Sequence, residues 1–175
     1  MLMSSQLKIS PCTLSHFECL LHCPTQFKSR FGYTVPSPFV ESTILELGHR
    51  YLFHHPEVNP WWIHLFTYQD SLVGLGGYKG PPNHYTEVEL GYEISHPYRN
   101  QGLATLAVQA LCQKAYAQLN SVKIIAHTLA IKSPSTQVLT KCHFQVISRI
   151  QTTEEGELWK WQHCGKQGTE KIFPF

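Results

Sequence analysis

Two adjacent stretches of the chain hold residue types from which acyl or phosphate chemistry can be built. In Thr86-Glu87-Val88-Glu89-Leu90-Gly91-Tyr92-Glu93-Ile94 the carboxylates alternate with apolar or aromatic residues. An extended segment sends successive side chains to opposite faces, so Glu87, Glu89 and Glu93 share one face and Val88, Leu90, Tyr92 and Ile94 the other. A carboxylate held in that way can accept a proton from a nucleophile. The next stretch, Ser95-His96-Pro97-Tyr98-Arg99-Asn100-Gln101-Gly102-Leu103-Ala104-Thr105, reads as a loop entering a helix. The first N–H groups of a helix have no partner within it, and the positive end of its dipole lies there, so such a junction favours an anion. Gly102 and the small Ala104 would let a phosphate come close to the backbone, and Arg99 would add positive charge. On these residues alone, a helix that simply begins at a glycine accounts for the stretch equally well.

These groups need a frame. Upstream, residues 6–10 alternate weakly as a short strand. Ser15-His16-Phe17-Glu18 has the form of a capping box and predicts a helix to about His22. A second helix is predicted over 38–54, with Ser37 as cap and Pro38 in the first turn. Residues 61–68 and 71–78 form a hairpin about Gln69-Asp70. After the strand at 86–94 comes a core-packing helix over 102–119, in which Leu103, Leu106, Ala107, Ala110 and Leu111 fall on one face. A strand at 122–128, a helix at 134–142 behind Ser133, and strands at 144–150 and 158–161 complete the order. Helices interleaved with hairpins and single strands give a mixed α/β (α+β) single domain.

Composition narrows the function classes. The 175 residues are 42% hydrophobic and 15% charged, enough apolar material to order the chain. Lys and Arg exceed Asp and Glu by 14 to 12 without any clustered basic run, which argues against a nucleic-acid partner. No apolar stretch approaches the roughly 18 residues that span a bilayer, and residues 1–10 lack the features of a secretory leader, so no membrane association and a cytoplasmic setting are expected. Six cysteines are too few for a disulfide scaffold, and the eleven histidines show no metal-ligand spacing, so no metal is expected. Gly74-Leu75-Gly76-Gly77-Tyr78-Lys79-Gly80 fails as a dinucleotide loop because Lys79 stands where a glycine is needed and Pro81-Pro82 follows instead of a helix.

Arg99-Asn100-Gln101-Gly102-Leu103-Ala104 resembles the R/Q-x-x-G-x-G/A signature of the GNAT superfamily of acyl-CoA-dependent N-acyltransferases. Val88 to Ile94 resembles the preceding strand of the branch that contains the ribosomal-protein N-terminal acetyltransferases. Ala126-His127-Thr128-Leu129 and Ser135-Thr136-Gln137-Val138-Leu139-Thr140-Lys141-Cys142-His143-Phe144 resemble that branch's next strand and helix. The resemblance covers about residues 60–150 in order. It implies a GNAT-like mixed central sheet, splayed and flanked by helices, as one domain over 1–175. It further implies acetyl-CoA as co-substrate. Tyr92, Glu93 and Ile94 would line the pantetheine arm, and Arg99, Asn100, Gln101, Gly102, Leu103, Ala104 and Thr105 would hold the pyrophosphate.

The implied reaction is transfer of an acetyl group to a primary amine, either a protein N-terminus or a small molecule, in a ternary complex without a covalent enzyme intermediate. Glu89 is the first candidate for general base, with Glu87 and Glu93 as alternates. Burial and like-charge neighbours are expected to raise their pKa values. A backbone N–H near Ile94 would stabilise the oxyanion. Two departures from the family pattern bear on this. Lys132-Ser133-Pro134 stands where the family has an Asn that contacts the pantetheine arm, and His143 replaces the glycine of a G-F pair. A tyrosine used as general acid by some members would fall near Leu139. These departures also fit a domain of another class, a catalytically inactive CoA-binding sensor or interaction module. The chain is expected as a monomer or homodimer.

Overall fold

The computed structural model describes residues 7–165. Strand β1 (Lys8–Pro11) leads into helices α1 (Leu14–His22), α2 (Phe27–Phe31) and α3 (Ser42–His54). The hairpin β2 (Ile63–Tyr68) and β3 (Ser71–Tyr78) and the carboxylate strand β4 (Glu87–Ile94) follow. Then come α4 (Leu103–Gln118), β5 (Lys123–Leu129), α5 (Pro134–Lys141), β6 (Phe144–Thr152) and β7 (Gly156–His163). The strands form one seven-stranded sheet in the order β1-β2-β3-β4-β5-β7-β6. Only β4 and β5 run parallel, because α4 carries the chain back between them; the other neighbours are antiparallel.

Each face of the sheet has its own core. On one, α4 and α5 bury Leu103, Val108, Leu111 and Leu139 against Val88, Leu90, Ile94 and Ile124. The Tyr78 hydroxyl ties this face together by donating to Leu111 C=O at 2.6 Å. On the other, α1 and α3 bury Phe17, Leu20, Leu45 and Leu52 against Leu65, Leu72 and Leu75. The glycines of β3 serve this packing. A Cβ on Gly77 would strike Trp62 C=O, and one on Gly74 would strike Glu93 C=O. They let β3 sit close to its neighbours, as expected for a packed hairpin.

Three local expectations are corrected. The first helix is capped two residues earlier than Ser15. Thr13 Oγ1 accepts from His16 N–H at 3.3 Å, and His16 Nδ1 accepts from Thr13 N–H at 3.0 Å, so a histidine replaces the usual Glu of the box. Helix α3 opens at Ser42, not Pro38. Thr34 is bonded to Asp70 and Leu72, which holds the preceding segment extended against the β2–β3 turn. Trp61 lies in a 3₁₀ turn (Pro56–Trp61), and β2 begins at Ile63.

Candidate active site

Strands β4 and β5 pair only at Glu87–Lys123, Val88–Ile124 and Glu89–Ile125 and then part, while β4 stays paired with β3 as far as Ile94. Backbone alternation fixes what faces the opening. Lys79 N–H bonds Glu89 C=O and Ser95 N–H bonds Val73 C=O, so the odd-numbered residues of β4 turn their backbone groups to β3. The even-numbered residues turn theirs away from β3: the Leu90 N–H completes the last rung with Ile125 of β5, and the Leu90 C=O, both groups of Tyr92 and the Ile94 N–H are left on the side of the wedge. A cavity of about 290 Å³ lies there, lined by Leu90, Gly91 and Tyr92 on one wall, His127 and Thr128 on the other, and Leu139 from α5. The Tyr92 hydroxyl crosses to α5 and donates to Ser135 C=O at 3.3 Å, and burial pushes its pKa up to about 12.

At the base of the wedge Glu89 is engaged twice: by the Lys79 ammonium, and by His127 Nδ1 at 3.1 Å from its Oε1. Burial pushes the Glu89 carboxyl up, but Lys79 and His127 outweigh it and hold the group below its ordinary value. The expected upward shift is thus wrong for Glu89, because the charges around it are positive. It is right in direction for Glu93, raised by burial and by Glu41 although Arg99 opposes. Glu87 meets Lys160 Nζ at 3.1 Å. The row of carboxylates is a row of ion pairs, and of these Glu89 also touches a side chain that lines the wedge. Sequence reasoning passed over His127 and Lys79. Their only signal was position: His127 is two residues beyond Ile125, and Lys79 is the residue after β3.

The loop before α4 has the backbone of an anion site. Asn100 (φ 61°) and Gly102 (φ 78°) are both left-handed, a turn that directs successive N–H groups to one side. No side chain caps α4, so the first N–H groups of the helix, at Leu103, Ala104 and Thr105, are left for a ligand. A Cβ on Gly102 would meet nothing within 4 Å, so the glycine answers a conformational need and leaves open space above the helix. Leu103 is buried and can contribute only its N–H. Arg99 is partly committed elsewhere: its Nε donates to Ile94 C=O at 2.8 Å and its Nη2 lies 3.7 Å from Glu93 Oε1. Gln101 Nε2 donates to Pro97 C=O, bracing the same loop.

Residues 6–145 match the sequence model of the acetyltransferase (GNAT) domain. The chain belongs to the GNAT acetyltransferase family. No curated protein sequence matches it. Among solved structures, a GNAT fold recurs in RimL, a ribosomal L7/L12 alpha-N-protein acetyltransferase in complex with coenzyme A, at 15% identity over 93% of this chain and 96% of that one, with TM-score 0.67. A spermidine N-acetyltransferase SpeG chimera from Vibrio cholerae and hSSAT gives TM-score 0.66 at 14% identity, covering 91% of this chain and 95% of that one. The microcin C7 self-immunity acetyltransferase MccE, in complex with acetyl-CoA and AMP, gives 0.64 at 15% identity, covering 91% and 92%.

Both departures from the GNAT pattern have a local account. Ser133 caps α5 through a reciprocal box with Thr136, so the stretch lacking the family's Asn serves to start that helix. His143 takes the left-handed conformation (φ 61°) of the missing glycine and is exposed at the turn into β6. Among the described residues, no helix is long and apolar enough to cross a membrane, and no group of three or more His, Cys, Asp or Glu is placed to hold a metal.

Proposed function

We propose that this GNAT acetyltransferase moves the acetyl group of acetyl-CoA to a primary amine by direct attack in a ternary complex. The observation that carries the reading is the parting of β4 from β5 after Glu89–Ile125, which leaves the Leu90 C=O, both backbone groups of Tyr92 and, beyond the cavity wall, the Ile94 N–H without a strand partner on the β5 side. An amide-bearing arm such as pantetheine can satisfy them as a further strand would. The left-handed Asn100 and Gly102 and the uncapped α4 terminus fit a diphosphate, and Leu103, Ala104 and Thr105 would supply its N–H donors.

Attack requires a neutral amine, since an ammonium has no lone pair. Glu89 and His127 are assigned that proton together. With Nδ1–H donated to Glu89, His127 presents Nε2 to the cavity as the acceptor, and Glu89 fixes the ring and stabilises the imidazolium. The Tyr92 N–H, in the cavity wall with His127, is the donor for the thioester oxygen as it gains charge; the expected donor at Ile94 lies outside that wall, five residues of extended strand beyond Glu89. The nearby thiol is unsuited to a covalent step: Cys142 is buried, its Sγ is turned to Thr105 C=O, and burial pushes its pKa up to about 11.

The acceptors in view are a protein N-terminus or a small-molecule amine. The test is release of free CoA thiol when the chain is mixed with acetyl-CoA and a panel of peptide and small amines. Release with at least one amine, and no acetyl-enzyme by mass spectrometry, supports the reading. Acetyl-CoA binding without release across the panel contradicts it.

A further inference from the structure

A second cavity, about 630 Å³ and separate from the wedge, runs along α3 between that helix and the start of β2. Its walls are apolar and aromatic. Leu47 is 56% and Tyr51 38% exposed, and Tyr51 stacks on Trp62 at 4.3 Å between ring centroids. Its charged lining residues are Arg50 and Lys79, with His54 and His55 beside them and no Asp or Glu among the lining. Arg50 has no carboxylate partner among the described residues, and the nearby Glu57 is held by His55 Nδ1 at 3.4 Å. Lys79 joins this groove to the wedge, because its ammonium grips Glu89, which in turn holds His127.

We propose that this groove seats the acceptor, and that the acceptor is a primary amine on an aromatic or large apolar body that also carries a negative charge. The inference rests on the transferase reading above and adds the substrate class. The lining of the groove includes Lys79, whose ammonium grips Glu89, so an acceptor seated there lies one side chain away from the Glu89–His127 pair. Aromatic walls exposed to water gain by covering a planar or apolar group. Arg50, with no charge of its own to satisfy, and Lys79, only one of whose donors is spent on Glu89, attract an anion. The same two cations disfavour a polyamine, whose remaining ammonium groups would have to lie against them.

The discriminating experiment compares kcat/KM, by release of CoA thiol, for L-tryptophyl-L-glutamate, L-tryptophan amide and spermidine. The expected order is that of naming, with at least tenfold between first and last. Arg50→Glu, an exposed change on α3, is expected to lower kcat/KM for the dipeptide at least fivefold through KM and to raise it for spermidine. Spermidine as the best of the three, or an unchanged dipeptide-to-spermidine ratio in Arg50→Glu, would overturn the proposal. Acetylation of none of the three by a chain that binds acetyl-CoA overturns it as well, while leaving open transfer to another amine. Failure to bind acetyl-CoA, measured by titration beforehand, removes the transferase reading itself.

Discussion

His127 Nδ1 lies 3.1 Å from Glu89 Oε1, at the point where β4 and β5 cease to pair. A carboxylate behind an imidazole is an arrangement for moving a proton, and here the imidazole borders the cavity. Glu89→Gln and His127→Gln are each expected to lower kcat by about 10²–10⁴-fold with acetyl-CoA affinity retained. Because the two act as a unit, the double variant should be little worse than either single one. Single variants that keep wild-type kcat across the pH range would exclude the pair.

Gly102 should matter for ligand and little for fold. A side chain there enters open space, but at φ 78° it costs about 1–2 kcal/mol of backbone strain and stands where an anion would approach. Gly102→Val is expected to weaken acetyl-CoA binding at least tenfold in a titration while the cooperative thermal transition persists. Unchanged affinity would move the diphosphate away from α4.

Acid should destabilise the chain through His64. This residue is fully buried, and burial lowers its pKa from 6.5 to about 4, against the opposing bond from Nδ1 to Trp62 C=O. The unfolded chain then binds a proton that the folded one refuses. Stability is present above about 6.5 and falls as pH drops towards 4, by about 3 kcal/mol in all. Glu89 acts with the same sign, its lowered carboxyl losing a stabilising contribution as pH falls through its folded value. Denaturant titrations from pH 7 to 4.5 should show the slope, and His64→Gln should flatten it. An unaltered slope in that variant would reject the assignment.

His143 carries the backbone strain of a left-handed residue, and its bonds, N–H to Thr140 C=O and C=O from Cys164 N–H, are backbone ones that a glycine would keep. Its left-handed φ and exposed side chain predict that His143→Gly raises stability by about 0.5–1 kcal/mol. Thermal melts would show it. A fall in transfer activity without any gain in stability would instead place His143 in the site.

What could be read beforehand followed periodicity. The alternation from Val88 to Ile94 and the helical spacing from Leu103 to Leu111 located β4 and α4 nearly to the residue, because burial enforces both patterns. The left-handed turn before α4 was legible through Gly102, since a glycine takes φ 78° without the strain a side chain brings. Less legible was anything set by a neighbour distant in sequence. Lys79 and His127 reach Glu89 only through the sheet register, so the sign of its pKa shift could not be foreseen from the carboxylates alone. The groove along α3 was hidden for the same reason: Tyr51 and Trp62 meet only where the helix packs across the start of β2.

The most direct test of the wedge is amide hydrogen exchange along β4 with and without acetyl-CoA. The amides of Tyr92 and Ile94 face the opening, whereas that of Leu90 is bonded to β5 and those of Gly91 and Glu93 to β3. The account predicts that acetyl-CoA protects the amides of Tyr92 and Ile94, together with those of Leu103, Ala104 and Thr105, and leaves Leu90, Gly91 and Glu93 as they were. Binding with no change at Tyr92 and Ile94 would place the ligand elsewhere and contradict the account.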